Sequence, residues 1–302
     1  MTRPLAALTG ATGFLGAHLV RALDAAGFRV RALARREPSP PGWGAVAPEV
    51  VGGDLSDSDS LRRLVEGAEV VVHAAGAIRA GSRDAFLAVN RDGARRIAEL
   101  SRRARFLLVS SLAARHPELS AYAYSKRAGE EAAAAVFGSA LTVVRPPALY
   151  GPGDRETFAV FRAVARSPVL PVLSPRSRLA LLHVEDAAAA IAALAAAPRP
   201  GTWALADGRP EGYGWREIIA AAGAAVGRRP LLIPAPPWLL PAAAGLGARF
   251  GLVSADKVGE LLHTDWAVTP AELPPGGPPL RYDIQRGFIA TVAWYREAGW
   301  LR

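Results

Sequence analysis

The chain of 302 residues contains no cysteine and only five histidines. Without cysteine, disulfides, thiolate zinc sites and catalytic thiols are excluded. The histidines are scattered along the sequence, so we expect no histidine-rich metal site and no bound metal. A chain of this length can bury about three quarters of the surface that it exposes when unfolded. It therefore needs no cross-link in order to fold.

Lysine is almost absent, although the chain carries a formal charge of +9. Lys126 and Lys257 are its two lysines, and the other 34 basic residues are arginines. Proteins that bind nucleic acid concentrate basic residues on one face or element, whereas these arginines are spread over the whole length. The charge is typical of a compositional bias towards arginine and alanine. We expect a small-molecule substrate and no nucleic-acid partner.

A long uninterrupted apolar run is also missing. The N-terminal segment reaches Gly10 too early to be a signal peptide. The most apolar stretch, residues 231–252, contains four prolines and Arg249, which makes it a poor transmembrane helix. An amphipathic surface element is the alternative for that stretch. We expect no membrane span and a cytoplasmic protein.

Short apolar runs alternate with longer amphipathic stretches through the first two thirds of the sequence. The apolar runs lie at 5–8, 29–33, 50–51, 70–73, 106–109, 141–144 and 179–184. The amphipathic stretches lie near 14–26, 58–66, 83–103, 120–137 and 155–165. This alternation predicts an α/β fold of the Rossmann type, a doubly wound parallel sheet with helices on both faces.

The composition changes near residue 207, where proline and glycine become dense and the helical patterns shorten. We predict a cofactor-binding domain over residues 1–206 and a smaller, mostly helical substrate-binding lobe over 207–302. Residues 151–178 are expected to contribute to that lobe. A helix near 284–298 is predicted to close the chain.

A glycine-rich turn follows the first predicted strand. The sequence LTGATGFLG places Gly10, Gly13 and Gly16 between that strand and the first helix. Glycine is required where the backbone must turn tightly and approach a pyrophosphate, which then sits at the helix N-terminus. The spacing is GxxGxxG, whereas the commonest dinucleotide fingerprint is GxGxxG. Its place between strand and helix predicts a dinucleotide site.

Two arginines at the end of the second strand bear on the choice of cofactor. An acidic residue about 20 positions beyond the glycines binds the ribose 2′-hydroxyl of NAD. Arg35 and Arg36 stand there instead, and a guanidinium suits the 2′-phosphate of NADP. We expect NADP, with NAD as the alternative. Asp54, after the third strand, is a candidate for contact with the adenine, and a turn or helix cap explains it equally well.

A serine, a tyrosine and a lysine form the candidate catalytic set. Tyr122 and Lys126 are four residues apart in a helical stretch, so they share one face, whereas Tyr124 points elsewhere. A tyrosine can act as general acid or base at neutral pH when an adjacent ammonium lowers its pKa. Ser111, at the end of the fifth strand, can hydrogen-bond the same substrate oxygen. This pattern predicts hydride transfer at a carbonyl or alcohol.

These motifs together resemble those of the extended short-chain dehydrogenase/reductases, the NAD(P)-dependent epimerase/dehydratase superfamily. The similar segments are GATGFLG, VVVHAAG, VNRDG, VSS, YAYSK, VVRPPALYGPGD and LLHVEDAAAAI. The resemblance implies Ser111, Tyr122 and Lys126 as the catalytic triad. It also implies Asn90 as a fourth member, catalytic or structural. The cofactor-binding positions are then Gly10, Thr12, Gly13, Phe14, Leu15, Gly16, Arg35, Arg36, Asp54, Leu55, Ala74, Ala75, Gly76, Tyr122, Lys126, Pro146 and Leu149.

The resemblance leaves three functions open. Ser111 and Tyr122 are only eleven residues apart, a short spacing that is similar to the subgroup related to an accessory subunit of respiratory complex I. The leading prediction is an oxidoreductase, with an apolar alcohol or ketone as plausible a substrate as a sugar nucleotide. The alternatives are a nucleotide-sugar epimerase or dehydratase with tightly bound cofactor, and a non-catalytic NADP-binding assembly protein. Extended members often form homodimers, so we expect that state here.

Overall fold

A computed structural model describes residues 2–35, 43–172, 176–234 and 258–301. The strands are β1 (Leu5–Thr9), β2 (Arg29–Ala34), β3 (Glu49–Gly52), β4 (Val70–His73), β5 (Arg105–Val109), β6 (Thr142–Arg145), β7 (Ala148–Tyr150), β8 (Val169–Val172), β9 (Arg178–Leu179), β10 (Leu181–His183), β11 (Gly201–Ala204), β12 (Leu231–Pro234) and β13 (Asp265–Trp266). The α-helices are α1 (Phe14–Ala25), α2 (Ser58–Val65), α3 (Arg83–Leu87), α4 (Gly93–Leu100), α5 (Ala121–Phe137), α6 (Phe158–Arg166), α7 (Val184–Ala196), α8 (Trp215–Val226), α9 (Val258–Leu262) and α10 (Ile284–Glu297).

Seven parallel strands form the central sheet, in the order β11-β6-β5-β4-β1-β2-β3. Its inner strands are mostly apolar because helices cover both faces, and every residue of β1 and β4 is buried. The strand order reverses between β1 and β4, which pair in parallel. This confirms the predicted Rossmann-type fold. In such sheets ligands bind outside the carboxyl ends of the strands at the reversal point.

The contacts divide the chain into two units. The first comprises Met1–Pro146, Ala187–Ala204 and Pro274–Pro278, and it holds the seven-stranded sheet. One of its cores contains Leu61, Leu64, Ile97, Phe106 and Ala133. These residues come from α2, α4, β5 and α5, so the core fixes those helices against the sheet.

The second unit comprises Pro147–Asp186, Leu205–Leu273 and Pro279–Arg302. Its described strands pair in parallel as three two-stranded ribbons, β7 with β10, β8 with β12 and β9 with β13. An aromatic core holds it together, in which the rings of Tyr150, Phe161 and Tyr295 pack edge-on against Phe288 or one another. This unit is therefore built around aromatic side chains from α6, β7 and α10.

Two stretches differ from the sequence-based expectation. Residues 83–103 are not one α-helix, because a π-helical turn (Ala88–Asp92) separates α3 from α4. The apolar run 179–184 is not one strand: it spans the end of β9, the interruption at Ala180, all of β10 and the first residue of α7. Among the described residues, no helix is both long and apolar enough to cross a bilayer.

Candidate active site

The glycine turn lies at the carboxyl end of β1, beside the end of β4. Gly10 has a positive φ of 79°, and a Cβ on it would lie 2.6 Å from the amide nitrogen of Ala75. A Cβ on Gly16 would overlap the carbonyl oxygen of Gly10. Both positions therefore require glycine because the backbone packs closely around them. Gly10 also requires it for its left-handed backbone conformation.

Helix α1 begins directly after this turn with an uncapped N-terminus. Gly13 is its N-cap and offers no side chain to the first amide groups, and Thr12 and Gly13 are exposed. Phe14 and Leu15, in the first turn, are half-buried. The first amide groups of a helix have no partner within the helix, and its dipole favours an anion there. The turn thus fits the pyrophosphate of a dinucleotide.

A buried pair of polar side chains fixes the end of β4. Thr9 Oγ1 lies 2.7 Å from Nδ1 of His73 and accepts a hydrogen bond of 3.1 Å from the amide of Ala75. Burial, with a smaller contribution from the charge of Lys126, lowers the pKa of His73 to about 3. His73 is therefore neutral and structural. The pair holds residues 74–76 beside the glycine turn, and sequence reasoning did not single out Thr9.

The predicted adenosine end lies where β2 and β3 finish. Arg35 is exposed there, and Arg36 lies outside the described residues. Asp54 Oδ1 accepts hydrogen bonds from the amide (2.7 Å) and hydroxyl (2.6 Å) of Ser56, which lower the pKa of Asp54. Asp54 therefore stabilises a turn, which is one of the two roles that the sequence left open for it; contact with the adenine is the other. The neighbouring Leu55 is half-buried.

Asn90 is buried in the π-helical turn and holds two segments together. Its Nδ2 donates to the carbonyl of Ala77 (3.0 Å) and to Oγ of Ser125 (2.8 Å), while its Oδ1 accepts from the amide of Ala77 (2.8 Å). Both amide hydrogens are thus committed within the protein. A Cβ on Gly129 would clash with the carbonyl oxygen of Asn90, so α5 packs directly on this turn. The geometry favours the structural interpretation of Asn90.

Lys126 lies on α5 with its ammonium beside the Asn90 cluster. Its Nζ donates to the carbonyl of Val109 at 2.8 Å, and a Cβ on Gly76 would lie 3.6 Å from Nζ and 3.0 Å from Asn90 Oδ1. Burial lowers the pKa of Lys126 to about 8, and the nearby Glu130 carboxylate opposes that shift. The ammonium is thus held at the carboxyl end of β5 and beside residue 76.

Tyr122 lies one turn before Lys126 on the same helix, with its half-buried ring edge-on to Phe86 at 6.1 Å. Tyr124 is exposed instead, and the guanidinium of Arg83 lies 3.7 Å from its ring centre. Tyr122 and Lys126 therefore share a helix face, and Tyr124 lies at the surface.

Ser111 lies two residues beyond β5 and begins a 3-10 turn (Leu112–Arg115) by accepting a hydrogen bond from the amide of Ala113 at 3.2 Å. The amide of Leu112 donates to the carbonyl of Pro146, which ties the ends of β5 and β6 together. Pro146 itself is buried. The hydroxyl of Ser110 is buried and has no hydrogen-bond partner among the described residues, and sequence reasoning left Ser110 out. Leu149 lies in β7 and belongs to the second unit.

A buried ion pair anchors α5 to the sheet. Arg145, at the end of β6, donates from Nε and Nη2 to the two carboxylate oxygens of Glu130 on α5, at 2.8 and 2.6 Å. The side chains are only 15% and 9% exposed. Such a bidentate pair fixes orientation as well as distance. The resemblance implied only that the turn from Arg145 to Leu149 lies beside the nicotinamide. The ion pair itself was not predicted, because it joins separate elements.

Comparison with known proteins identifies the family. The model of the NAD dependent epimerase/dehydratase family matches residues 6–206. A protein named ceramide reductase from Caulobacter vibrioides is 52% identical, over 99% of this chain and 96% of that protein. A Dictyostelium discoideum protein named NADH dehydrogenase [ubiquinone] 1 alpha subcomplex subunit 9, mitochondrial, is 27% identical over 71% of this chain and 62% of that protein.

Solved structures show the same fold at low sequence identity. The crystal structure of Thermus thermophilus UDP-glucose 4-epimerase in complex with NAD superimposes with a TM-score of 0.75 at 21% identity, over 97% of this chain and 99% of that one. The family match covers the glycine turn and the segment that carries Ser111, Tyr122 and Lys126. This protein therefore belongs to the NAD dependent epimerase/dehydratase family and is an NAD(P)-dependent enzyme.

Proposed function

We propose that this protein is an NAD(P)H-dependent reductase that converts a ketone of a ceramide-type lipid into the secondary alcohol. The observation that carries the proposal is the 52% identity, over nearly the whole of both chains, to a protein named ceramide reductase. A ceramide carries a secondary hydroxyl group, and its oxidised form is a ketone. The predicted serine, tyrosine and lysine set suits that reaction.

In this reaction Tyr122 donates its phenolic proton to the ketone oxygen. A bound nicotinamide cofactor, held at its pyrophosphate by the turn of Gly10, Gly13 and Gly16, would supply the hydride that the carbonyl carbon needs to become CH–OH. The hydroxyl of Ser111 donates a hydrogen bond to the same oxygen and stabilises the negative charge that develops on it. Proton transfer from a positioned side chain contributes about 10²- to 10⁴-fold to such reactions.

Lys126 supports Tyr122 electrostatically. Its ammonium is held by the carbonyl of Val109 and stands one helical turn from the tyrosine. A positive charge there favours the phenolate that remains after proton donation. Asn90 acts as a positioning residue, since it bonds Ser125, whose hydroxyl in turn donates to the backbone carbonyl of Tyr122 at 2.8 Å.

NADPH is the cofactor that we propose over NADH. Arg35 is exposed at the end of β2, where a 2′-phosphate would lie, and no acidic residue stands in its place. One oxygen of Asp54 is already engaged by Ser56. Arg35→Ala should raise the KM for NADPH by about tenfold or more and leave that for NADH nearly unchanged, because a charged hydrogen bond to phosphate is lost.

The proposed function is tested with the purified full chain and an oxidised ceramide in detergent micelles, with NADPH or NADH. We expect oxidation of the reduced cofactor in step with formation of the ceramide alcohol. Tyr122→Phe should lower kcat by at least about 100-fold with nearly intact cofactor affinity. Tyr124→Phe, on the same helix but at the surface, is the matched control and should retain activity.

Two outcomes would replace the proposal. The first is that mass spectrometry of ligands released from the purified protein reveals a retained oxidised cofactor, and that this protein turns over a nucleotide sugar without net redox change. That result would favour the epimerase or dehydratase alternative. Tight cofactor binding without turnover of oxidised ceramide or of a panel of other ketones would favour the non-catalytic assembly protein.

A further inference from the structure

We infer that the β8–β12 ribbon of the second unit docks this protein onto an anionic lipid bilayer. Its outer face, hereafter the docking face, consists of Val169, Pro171, Leu231 and Ile233. The inference rests on the proposed function, because a ceramide-type ketone with long acyl chains resides in a membrane. The surface itself is argued from register, exposure and charge.

The register of the ribbon brings the four apolar residues together. Leu231 pairs with Val169, and Ile233 pairs with Pro171. Paired residues on neighbouring strands point to the same side, and residues two apart on one strand do so as well. All four therefore share one side of the ribbon. The opposite side carries Leu170, Val172 and Leu232, which pack into the aromatic core.

The docking face is open to solvent. Leu231 is 64% exposed, Ile233 49% and Val169 40%, and Pro171 is exposed as well. Single exposed apolar residues are common, whereas a contiguous apolar group on a monomer marks an interaction site. These four residues therefore need an apolar partner.

Arginines without acidic neighbours in sequence flank the docking face. Arg166 ends α6 shortly before β8, and Arg228 and Arg229 are separated from β12 by Pro230 alone; all three arginines are exposed. None of them forms an ion pair with another residue in the part of the chain that the structure describes. The sequence contains no aspartate or glutamate from 157 to 184 or from 218 to 255. Both strands thus lie within segments of purely positive formal charge.

An apolar face with a basic rim matches the boundary of an anionic bilayer. Apolar side chains enter the region between headgroups and acyl chains, while arginines contact lipid phosphates. Each basic residue near an anionic leaflet strengthens binding by about fivefold, which corresponds to about 1 kcal/mol. A second protein is a poorer match, since a stable interface covers about 800 Å² on each partner and the docking face offers four side chains.

The apolar part of the proposal is tested by cosedimentation of the full chain with phosphatidylcholine vesicles, with and without phosphatidylglycerol. Neither substrate nor cofactor is added. We expect binding to the anionic vesicles that weakens as salt is raised, because salt screens exposed charges. Leu231→Ser should weaken that binding by about tenfold through the loss of buried apolar surface. Ile289→Ser is the matched control, since Ile289 is 59% exposed and belongs to α10 and not to either ribbon strand.

The basic rim is tested in the same assay with a paired substitution. Arg228→Gln/Arg229→Gln should weaken binding to anionic vesicles by about tenfold or more and leave the weak binding to neutral vesicles unchanged. The control is Arg102→Gln/Arg103→Gln, a second pair of adjacent exposed arginines. If both double variants lose the same amount of binding to anionic vesicles, net charge alone drives binding, and the proposal is overturned.

The remaining outcomes separate this inference from the proposed function. If the wild-type chain does not bind anionic vesicles, the docking face is wrong, whether or not the enzyme reduces a ketone. Sedimentation velocity tests the other occupant of the docking face, a second copy of this chain. If Leu231→Ser changes the oligomeric state and leaves vesicle binding unaltered, the bilayer proposal is overturned in favour of that second copy. On a water-dispersed short-chain ceramide ketone, Leu231→Ser should keep the wild-type kcat/KM. With a long-chain substrate in anionic vesicles, the same variant should lose activity.

Discussion

Replacing Asn90 by alanine should destabilise the first unit rather than disable the chemical step alone. The side chain makes three hydrogen bonds, two with the backbone of Ala77 and one with Ser125, and it is only 5% exposed. At about 1 kcal/mol for each bond, the loss amounts to about 3 kcal/mol of the free energy of unfolding. The backbone of Ala77 also loses both of its hydrogen bonds to that side chain, so the Ala77 amide becomes free to exchange.

The assay for this prediction combines three measurements. Urea denaturation gives the free energy of unfolding, hydrogen exchange gives the protection of the Ala77 amide, and steady-state kinetics gives kcat. Because Ser125 also bonds the backbone of Tyr122, a moderate fall in kcat is expected alongside the loss of stability. Ser125→Ala alone should lower the free energy of unfolding by less than Asn90→Ala does. The double variant should lower it by less than the sum of the two single variants, because the two side chains share a hydrogen bond.

A different result would refute the structural interpretation of Asn90. If Asn90→Ala unfolds at the wild-type urea concentration and keeps the Ala77 amide protected, the hydrogen bonds contribute nothing measurable. A large fall in kcat under those conditions would make Asn90 a member of the catalytic set.

Three further predictions follow from the site. Gly16→Ala should abolish NAD(P)H binding in a fluorescence titration, because its Cβ would overlap the carbonyl of Gly10 and open the turn. The kcat/KM for reduction should fall as the pH rises through about 8, because Lys126, with its pKa lowered to about 8 by burial, then loses its charge. Glu130→Gln should lower the free energy of unfolding by about 3 kcal/mol in urea, since it leaves the charge of Arg145 buried without its partner.

Each of these has a control within the chain. Gly81→Ala places its Cβ in open space, and it should bind the cofactor normally. Lys126→Met should be much less active and lack the decline above pH 8; if the decline persists, another group causes it. Glu131→Gln removes an exposed pair with Arg127, so it should change stability by less than about 1 kcal/mol. If Glu130→Gln and Glu131→Gln lower the free energy of unfolding equally, the buried pair of Glu130 and Arg145 does not anchor α5.

Local patterns in the sequence were sufficient for the fold class. Apolar runs are properties of neighbouring residues, so they predicted β1 to β6, six of the seven strands of the sheet, to within a few residues. β7 and β11 were missed because three or four residues give little periodicity. The π-helical turn was missed, and the packing of Gly129 on it joins positions far apart in sequence, which no local pattern reports. The predictions of a homodimer, a cytoplasmic location and the individual site roles stay predictions.

The sequence by itself determined the glycine turn and the YxxxK spacing, because both lie within a few residues along the chain. Only the tertiary structure decided which side chains surround them. It paired Thr9 with His73, Asn90 with Ala77 and Ser125, and Glu130 with Arg145. It likewise aligned residues 169–172 with 231–234, so that two unremarkable apolar runs became one exposed face. Hydrogen bonds and strand pairing between distant segments depend on how the chain returns to itself, and no local pattern of residues encodes that path.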